Sequence, residues 1–295
     1  MKRVGFYMAK CWVDFLSVHP YGLLYLKSDF YYLLAYHVFR YRRKVVRENL
    51  LRSFPEKSLE DIKVIERRFY RNLCDLFVEA PKMMRMGPNG YGKRITYVNP
   101  EVLQPLFEQK KSIFYAIPHS GNWEWYGKMI PSFAPHHNVA IYKKVKSPVF
   151  DELMLYMRTK GIDAEPVEAD SAFKHLVQHR DRWNAALMMA DQSPHGLESD
   201  FWTEFLHQDT CWFTGVERMA QALDYAIVFV AMKRQGRGRY EVRYEMITDD
   251  PKTMEKGEIM ERYVRCVERF IQDNPDNWLW SHRRWKHERP QMKST

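Results

Sequence analysis

Four apolar runs of strand length punctuate the middle of the chain: "SIFYAI" (112–117), "NVAIY" (138–142), "NAALMMA" (184–190) and "AIVFVAM" (226–232). Runs this short are below helix length, and with so little polarity they read as strands buried on both faces. The segments between them have helical character: "PEVLQPLFEQ" (100–109), "SPVFDELMLYMRTKG" (147–161), "SAFKHLVQHRD" (171–181) and "GVERMAQALD" (215–224). Buried strands alternating with helices predict an α/β fold, with a largely parallel central sheet flanked by helices. The glycines of "QGRGR" (235–239) signal a hairpin turn, so the late strands are expected to be antiparallel, followed by a helix over 258–272 that "NPDNW" ends. No repeat or Pro/Gly-rich linker divides residues 53–295, which therefore read as one domain.

Residues 1–52 read differently. Asp14, Lys27 and Asp29 interrupt every apolar stretch, so none reaches the roughly 18 residues of a spanning helix. "SDFYYLLAYHVFRYRRKVVRENLLR" (28–52) combines an apolar face, aromatic anchors and flanking cations, the requirements of a helix lying in the headgroup region. The expectation is an N-terminal helical membrane-docking region, with Arg40, Arg42, Arg43, Lys44 and Arg47 facing anionic lipid. The basic start has no clean apolar core with a small-residue cleavage site, so it is not read as a signal peptide. Beyond it, Ser58 with Glu60 and Asp61 predicts a helix start.

The formal charge of +9 calls for an acidic partner: nucleic acid, an anionic membrane surface or an acidic carrier protein. The four cysteines lack the paired spacing of zinc or thioredoxin-like motifs and read as reduced thiols.

Ligands of open α/β sheets gather outside the carboxyl ends of the strands. Two buried runs end on titratable residues, one at Pro118-His119 and the other at Asp191-Gln192. In "PHSGNWEW" the glutamate follows the histidine by five positions, about 140° apart on a continuous helix. His119 and Glu124 can therefore cooperate only if His119 lies in a turn and Glu124 in the first turn of the next helix, with Asn122 as cap or substrate contact. In that arrangement Glu124 would hold one imidazole nitrogen and leave the other to take a proton from a hydroxyl. Ser120 lacks a nucleophile elbow, and His136 and His137 lack recurring metal-ligand spacing, so neither a serine nucleophile nor a metal is expected.

Five stretches in order, "YRRKVVRENLLRSFPEKS", "IPHSGNWEW", "IYKKVKSPVFDELMLYMR", "MMADQSP" and "NPDNWLWSHRRWK", give the chain a further property. It resembles the bacterial lipid A biosynthesis acyltransferases of the lauroyl and myristoyl transferase type, within the lysophospholipid acyltransferases. The resemblance implies transfer of a fatty acyl chain from acyl carrier protein, or another acyl thioester, to a hydroxyl of a lipid A precursor. It places that reaction at the cytoplasmic face of the inner membrane, with no cofactor beyond the acyl thioester. His119 and Glu124 match the family's His-x4-Asp/Glu pair, Arg158 its helix-end arginine, and Asp191 an aspartate after a strand. Arg158 is expected to reach an anionic group of a substrate, with Asp191, Asn122 and Lys143 as further substrate contacts. Where the family commonly reads Tyr-Arg-Pro, this chain has Tyr142-Lys143-Lys144, and "DQSPHG" lacks charges that some relatives carry. Both differences bear on the acceptor, which could be another aminolipid or glycolipid. A rival reading is a non-catalytic basic protein that binds RNA or membrane through 40–52 and 278–287 ("WLWSHRRWKH"), where aromatics alternate with cations; in the acyltransferase reading nucleic acid is not a partner.

Overall fold

Each of the four apolar runs forms a strand. The computed structural model describes residues 2–194 and 201–289. In chain order its elements begin with four helices: α1 (Lys2–Val18), α2 (Tyr21–Tyr32), α3 (Arg43–Ser53) and α4 (Leu59–Glu79). Then come α5 (Pro88–Gly92), β1 (Ile95–Tyr97), α6 (Gln104–Glu108), β2 (Ile113–Ala116), α7 (Trp123–Met129), β3 (His137–Tyr142), α8 (Pro148–Thr159), β4 (Glu165–Glu168), α9 (Ala169–Gln178) and β5 (Asn184–Met188). The chain continues through β6 (Phe201–Phe205), β7 (Gln208–Trp212), α10 (Gly215–Leu223), β8 (Ala226–Gly236), β9 (Arg239–Thr248) and α11 (Glu258–Asp273).

Seven strands form one sheet in the order β1-β9-β8-β2-β5-β3-β4, and β6 with β7 forms a separate ribbon. From β8 to β4 all neighbours are parallel; β9 returns antiparallel to β8 across the glycine hairpin and carries β1 parallel to itself. The largely parallel sheet flanked by helices is therefore present, with its antiparallel late strands. β2 lies mid-sheet and is buried throughout, which is why its sequence shows no polar alternation. Its residues nonetheless divide by parity. Ile113, Tyr115 and Ile117 pack with Trp125, Tyr126 and Met157, under α7 and α8. Phe114 and Ala116 pack with Leu176, Val216 and Val264, under α9, α10 and α11.

The helix starts have local causes. The Ser58 hydroxyl accepts the Asp61 amide hydrogen at 3.2 Å, with Glu60 and Asp61 at the positive end of α4. Ser147 caps α8 on the Phe150 amide, and Pro148 occupies its first turn.

The N-terminal region departs from expectation. Residues 28–52 do not form one amphipathic helix: α2 passes into a π-helical stretch (Leu33–Val38), and left-handed backbone at Arg40 and Arg42 breaks the chain before α3. Arg43 and Arg47, expected at lipid, turn inward onto the buried Glu66 carboxylate of α4 at 2.7–2.8 Å. Arg42 donates to the Ser281 carbonyl. Exposed apolar side chains run from α1 and α2, with Met8, Trp12, Phe15, Leu26 and Phe30, into the stretch that follows, with Leu33, Val38 and Phe39, each about half exposed or more. No described helix is long and apolar enough to cross a membrane.

Candidate active site

β2 and β5 are parallel neighbours, with Ala116 opposite Met188. Three residues past each of these, the chains emerge from the sheet at His119 and Asp191, so the strand register alone brings the two together. The Asp191 carboxylate, 1% exposed, accepts three hydrogens: the His119 amide at 2.8 Å, the His119 imidazole Nδ1–H at 2.6 Å and the Trp278 indole N–H at 2.8 Å. Burial alone would raise the Asp191 carboxyl, but the adjoining His119 ring and these hydrogen bonds hold it below its ordinary value. A carboxylate on Nδ1 places the ring hydrogen there and leaves Nε2 as an acceptor. Nε2 is met by the Gln192 amide at 3.2 Å, and the ring lies edge-on to Trp123.

Glu124 is not the residue that holds His119. It lies in the first turn of α7, as expected, but its carboxylate is taken by Arg158 at the end of α8, through two bonds of 2.8 and 2.6 Å, and by the Trp123 indole. This fork is bidentate, the geometry in which arginine and carboxylate bind best. Burial alone would lower the Arg158 guanidinium, but the negative Glu124 carboxylate and its hydrogen bonds hold it above its ordinary value. Arg158 is thus paired with Glu124 while it lines the groove 31% exposed, and Asp151 instead accepts the Val145 amide.

Asn122 is also satisfied internally. Its side-chain oxygen accepts the Trp125 amide hydrogen, capping α7, while its amide donates to Glu79 at 3.1 Å. With no exposed surface, it supports the loop and does not face a substrate. Gly121 makes the bend with φ +57°, and a Cβ there would lie 2.5 Å from the Met232 carbonyl oxygen. Lys143 is exposed in the loop after β3, at the same end of the sheet, and Lys144 pairs with Glu168. In "DQSPHG", the final His195 and Gly196 lie outside the described residues.

Three supports of the site were not read from the sequence. The fully buried Glu79, at the end of α4, accepts hydrogens from Asn122, Tyr25, Tyr240 and the Gly238 amide, joining the histidine loop to α2 and the β8–β9 hairpin. Burial keeps its carboxyl above the ordinary value despite those donors. The second is the C-terminal strap. The Leu279 amide donates to the His119 carbonyl, the Gly121 amide to the Asn277 carbonyl, and the buried Asn277 side chain to Met232. Trp278, Trp280 and Arg284 of this strap are buried, so the aromatic faces that a base-stacking surface requires are inside the protein. The third is Gln192, directly on the free imidazole nitrogen. The alternation of Trp and Arg in the strap, and the strand end at Asp191-Gln192, left traces in the sequence.

An apolar groove opens beside these residues, between α7, α8 and strands β3 and β5. Glu124, Arg158 and Trp123 stand in its lining with Ile130, Val139, Ile141, Leu155, Leu187 and Met189. A smaller depression on the other side of Trp123 reaches His119, between α4 and the strap. A family model described as bacterial lipid A biosynthesis acyltransferase matches residues 3–287. The chain belongs to that family. It is an acyltransferase of the lipid A biosynthesis type, and the match spans α1, the site and the strap alike. No curated protein matches the chain.

Proposed function

We propose that this acyltransferase moves a fatty acyl chain from an acyl thioester, on acyl carrier protein, to a hydroxyl of a lipid A precursor at the cytoplasmic face of the inner membrane. The observation that carries the reading is the His119 imidazole with Nδ1 held by the buried Asp191 carboxylate and Nε2 turned away from it. Nε2 takes the proton of the acceptor hydroxyl, and that oxygen attacks the thioester carbonyl. As the tetrahedral intermediate collapses, the carbon–sulfur bond breaks and the imidazolium returns its proton to the leaving thiolate. Asp191 keeps the ring in the reactive tautomer and stabilises its charged form. The acceptor hydroxyl displaces the Gln192 amide from Nε2 as it binds.

The apolar groove supports the acyl part of the reading, since a hydrocarbon chain needs a dry channel that ends near the reacting carbon. The Glu124–Arg158 fork ties α7 to α8 at the mouth of that groove and keeps it open.

Transfer assays with acyl carrier protein and coenzyme A thioesters, read by mass spectrometry of the lipid product, test the proposal. His119→Ala and Asp191→Asn should each lower transfer by roughly three to four orders of magnitude with the fold retained, as removal of a base or its orienter does elsewhere. Normal transfer by both variants would refute it.

A further inference from the structure

Several of the protein's arginines are paired internally. Arg43 and Arg47 are paired with Glu66, Arg158 with Glu124, and Arg234 and Arg237 with Asp75. Five other cations converge on a single cavity of about 330 Å³: Lys82, Arg85, Lys93, Arg94 and Arg239. No acidic residue lines it, and among the described residues none of the five has an ion-pair partner.

The cavity lies at the α1–α2 turn. There the Lys82 ammonium donates to the Ser17 and His19 carbonyls at 2.9 and 2.8 Å, and Arg85 donates to the Ser17 hydroxyl. Tyr21 holds two of the charges through its ring, with the Arg94 guanidinium 3.4 Å from the centroid and the Lys82 ammonium 4.9 Å from it. Arg94 is further fixed by the Gly238 carbonyl. These contacts aim the charges inward without neutralising them. Burial first, and then the charges of Arg94 and Arg85, hold the Lys82 ammonium below its ordinary value. An anion in the cavity would relieve that repulsion.

The surroundings indicate what that anion is attached to. α1 and α2 meet at this turn and expose Trp12, Phe15, Val18, Leu23 and Leu26. Arg239 begins β9 and Arg94 precedes β1, at the end of the sheet from which His119 emerges. Arginine forks and lysine points match phosphate oxygens.

We propose that this cavity is a binding site for the phosphate of a membrane lipid headgroup, separate from the His119 centre. The lipid source rests on the membrane-docking reading of α1 and α2, while the anion site itself does not.

The test uses the full chain and binding, not transfer. Lys93 and Arg239 are exposed, and among the described residues nothing bonds to their side chains, so Lys93→Gln/Arg239→Gln should fold normally. On phosphatidylcholine vesicles carrying phosphatidic acid, the double variant should bind on the order of tenfold more weakly than wild type, since each cation near a charged surface contributes substantially to binding. Binding to pure phosphatidylcholine vesicles should be unchanged. The charge-matched control Lys174→Gln/Arg180→Gln should lose far less on the phosphatidic acid vesicles. Wild type should also prefer those vesicles to phosphatidylserine vesicles of equal surface charge. Equal losses in the two double variants, or no such preference, would overturn the site in favour of diffuse attraction.

Inorganic pyrophosphate gives the second arm. It should raise the melting temperature of wild type and not of Lys93→Gln/Arg239→Gln. That pattern without vesicle preference would overturn the lipid source in favour of a soluble phosphate. Wild type that ignores all vesicles but responds to pyrophosphate would sink membrane docking while retaining the anion site.

Discussion

Two of the carboxylates around the histidine loop, Glu124 and Asp191, take different partners, and the backbone divides them. Glu124 rides on α7 and is drawn to Arg158, whereas Asp191 leaves β5 in register with His119. The division can be tested by separating ring chemistry from packing. Asp191→Asn offers an amide to Nδ1, so the ring hydrogen moves to Nε2 and the base is lost; kcat should fall by roughly 10⁴, the cost of a wrong tautomer in a comparable dyad. The pH profile of any remaining transfer should shift with it. Glu124→Gln should instead weaken the α7–α8 fork, costing roughly 2–3 kcal/mol, less than a fully buried pair because Arg158 is 31% exposed. Its melting temperature and kcat should drop while the pH at which transfer titrates stays put, and a moved profile would return Glu124 to the imidazole. A third residue addresses chain length. A Cβ on Gly127 would lie 3.1 Å from Leu187 Cδ2 in the groove. Gly127→Val should therefore narrow the groove and shift competition between donors toward shorter acyl chains by roughly tenfold, in line with the worth of a methylene in an apolar pocket. His119 and the capping role of Asn122 were legible in the sequence because a strand end followed by a polar bend is a local pattern. The partnership of His119 with Asp191 was not, because it spans 72 residues and depends on which strands become neighbours.

At the scale of elements, the sequence was clearest where burial was most complete. The four apolar runs became β2, β3, β5 and β8, whereas β1, β4 and the β6–β7 ribbon are short or polar and left no comparable pattern. The N-terminal break was hidden for another reason: left-handed Arg40 and Arg42 have none of the glycine or proline that usually marks a turn. Beside its buried Val13 and Leu16, α1 is attached to the body by polar contacts. Asp14 accepts hydrogens from Lys10, Lys160 and the Tyr156 hydroxyl of α8. Burial would raise this carboxyl, but those donors lower it from 3.8 to about 2. A carboxyl depressed on folding stabilises the protein above its unfolded value and loses that contribution as pH falls through its folded value. The attachment of α1 should therefore weaken as pH drops from about 3.8 toward 2. Amide exchange across α1 should rise over that interval in wild type, and Asp14→Asn should show raised exchange at neutral pH with little further change in acid.

For the molecule as a whole, one end of the sheet gathers the histidine loop, the groove mouth and the cationic cavity, while α1 and α2 bring an apolar surface alongside. Within that arrangement paired arginines hold elements together, and five cations without an ion-pair partner among the described residues sit beside the apolar surface of α1 and α2. Trp12, Leu26 and Phe30 are 48%, 67% and 56% exposed, so replacing them removes little from the core. Each large side chain transferred from water to an apolar phase contributes roughly 1.5–3 kcal/mol when fully buried. With insertion only partial, Trp12→Ser/Leu26→Ser/Phe30→Ser should weaken partition onto neutral phosphatidylcholine vesicles on the order of a hundredfold. The melting temperature in solution should change little, and transfer to a detergent-dispersed acceptor should persist, because none of the three touches the His119–Asp191 pair. Salt gives the discriminating control: loss of neutral-vesicle binding in the triple variant should be independent of ionic strength, since the apolar term is not screened. If the triple variant binds neutral vesicles as wild type does, α1 and α2 do not enter the membrane, and the exposed apolar face must serve another contact.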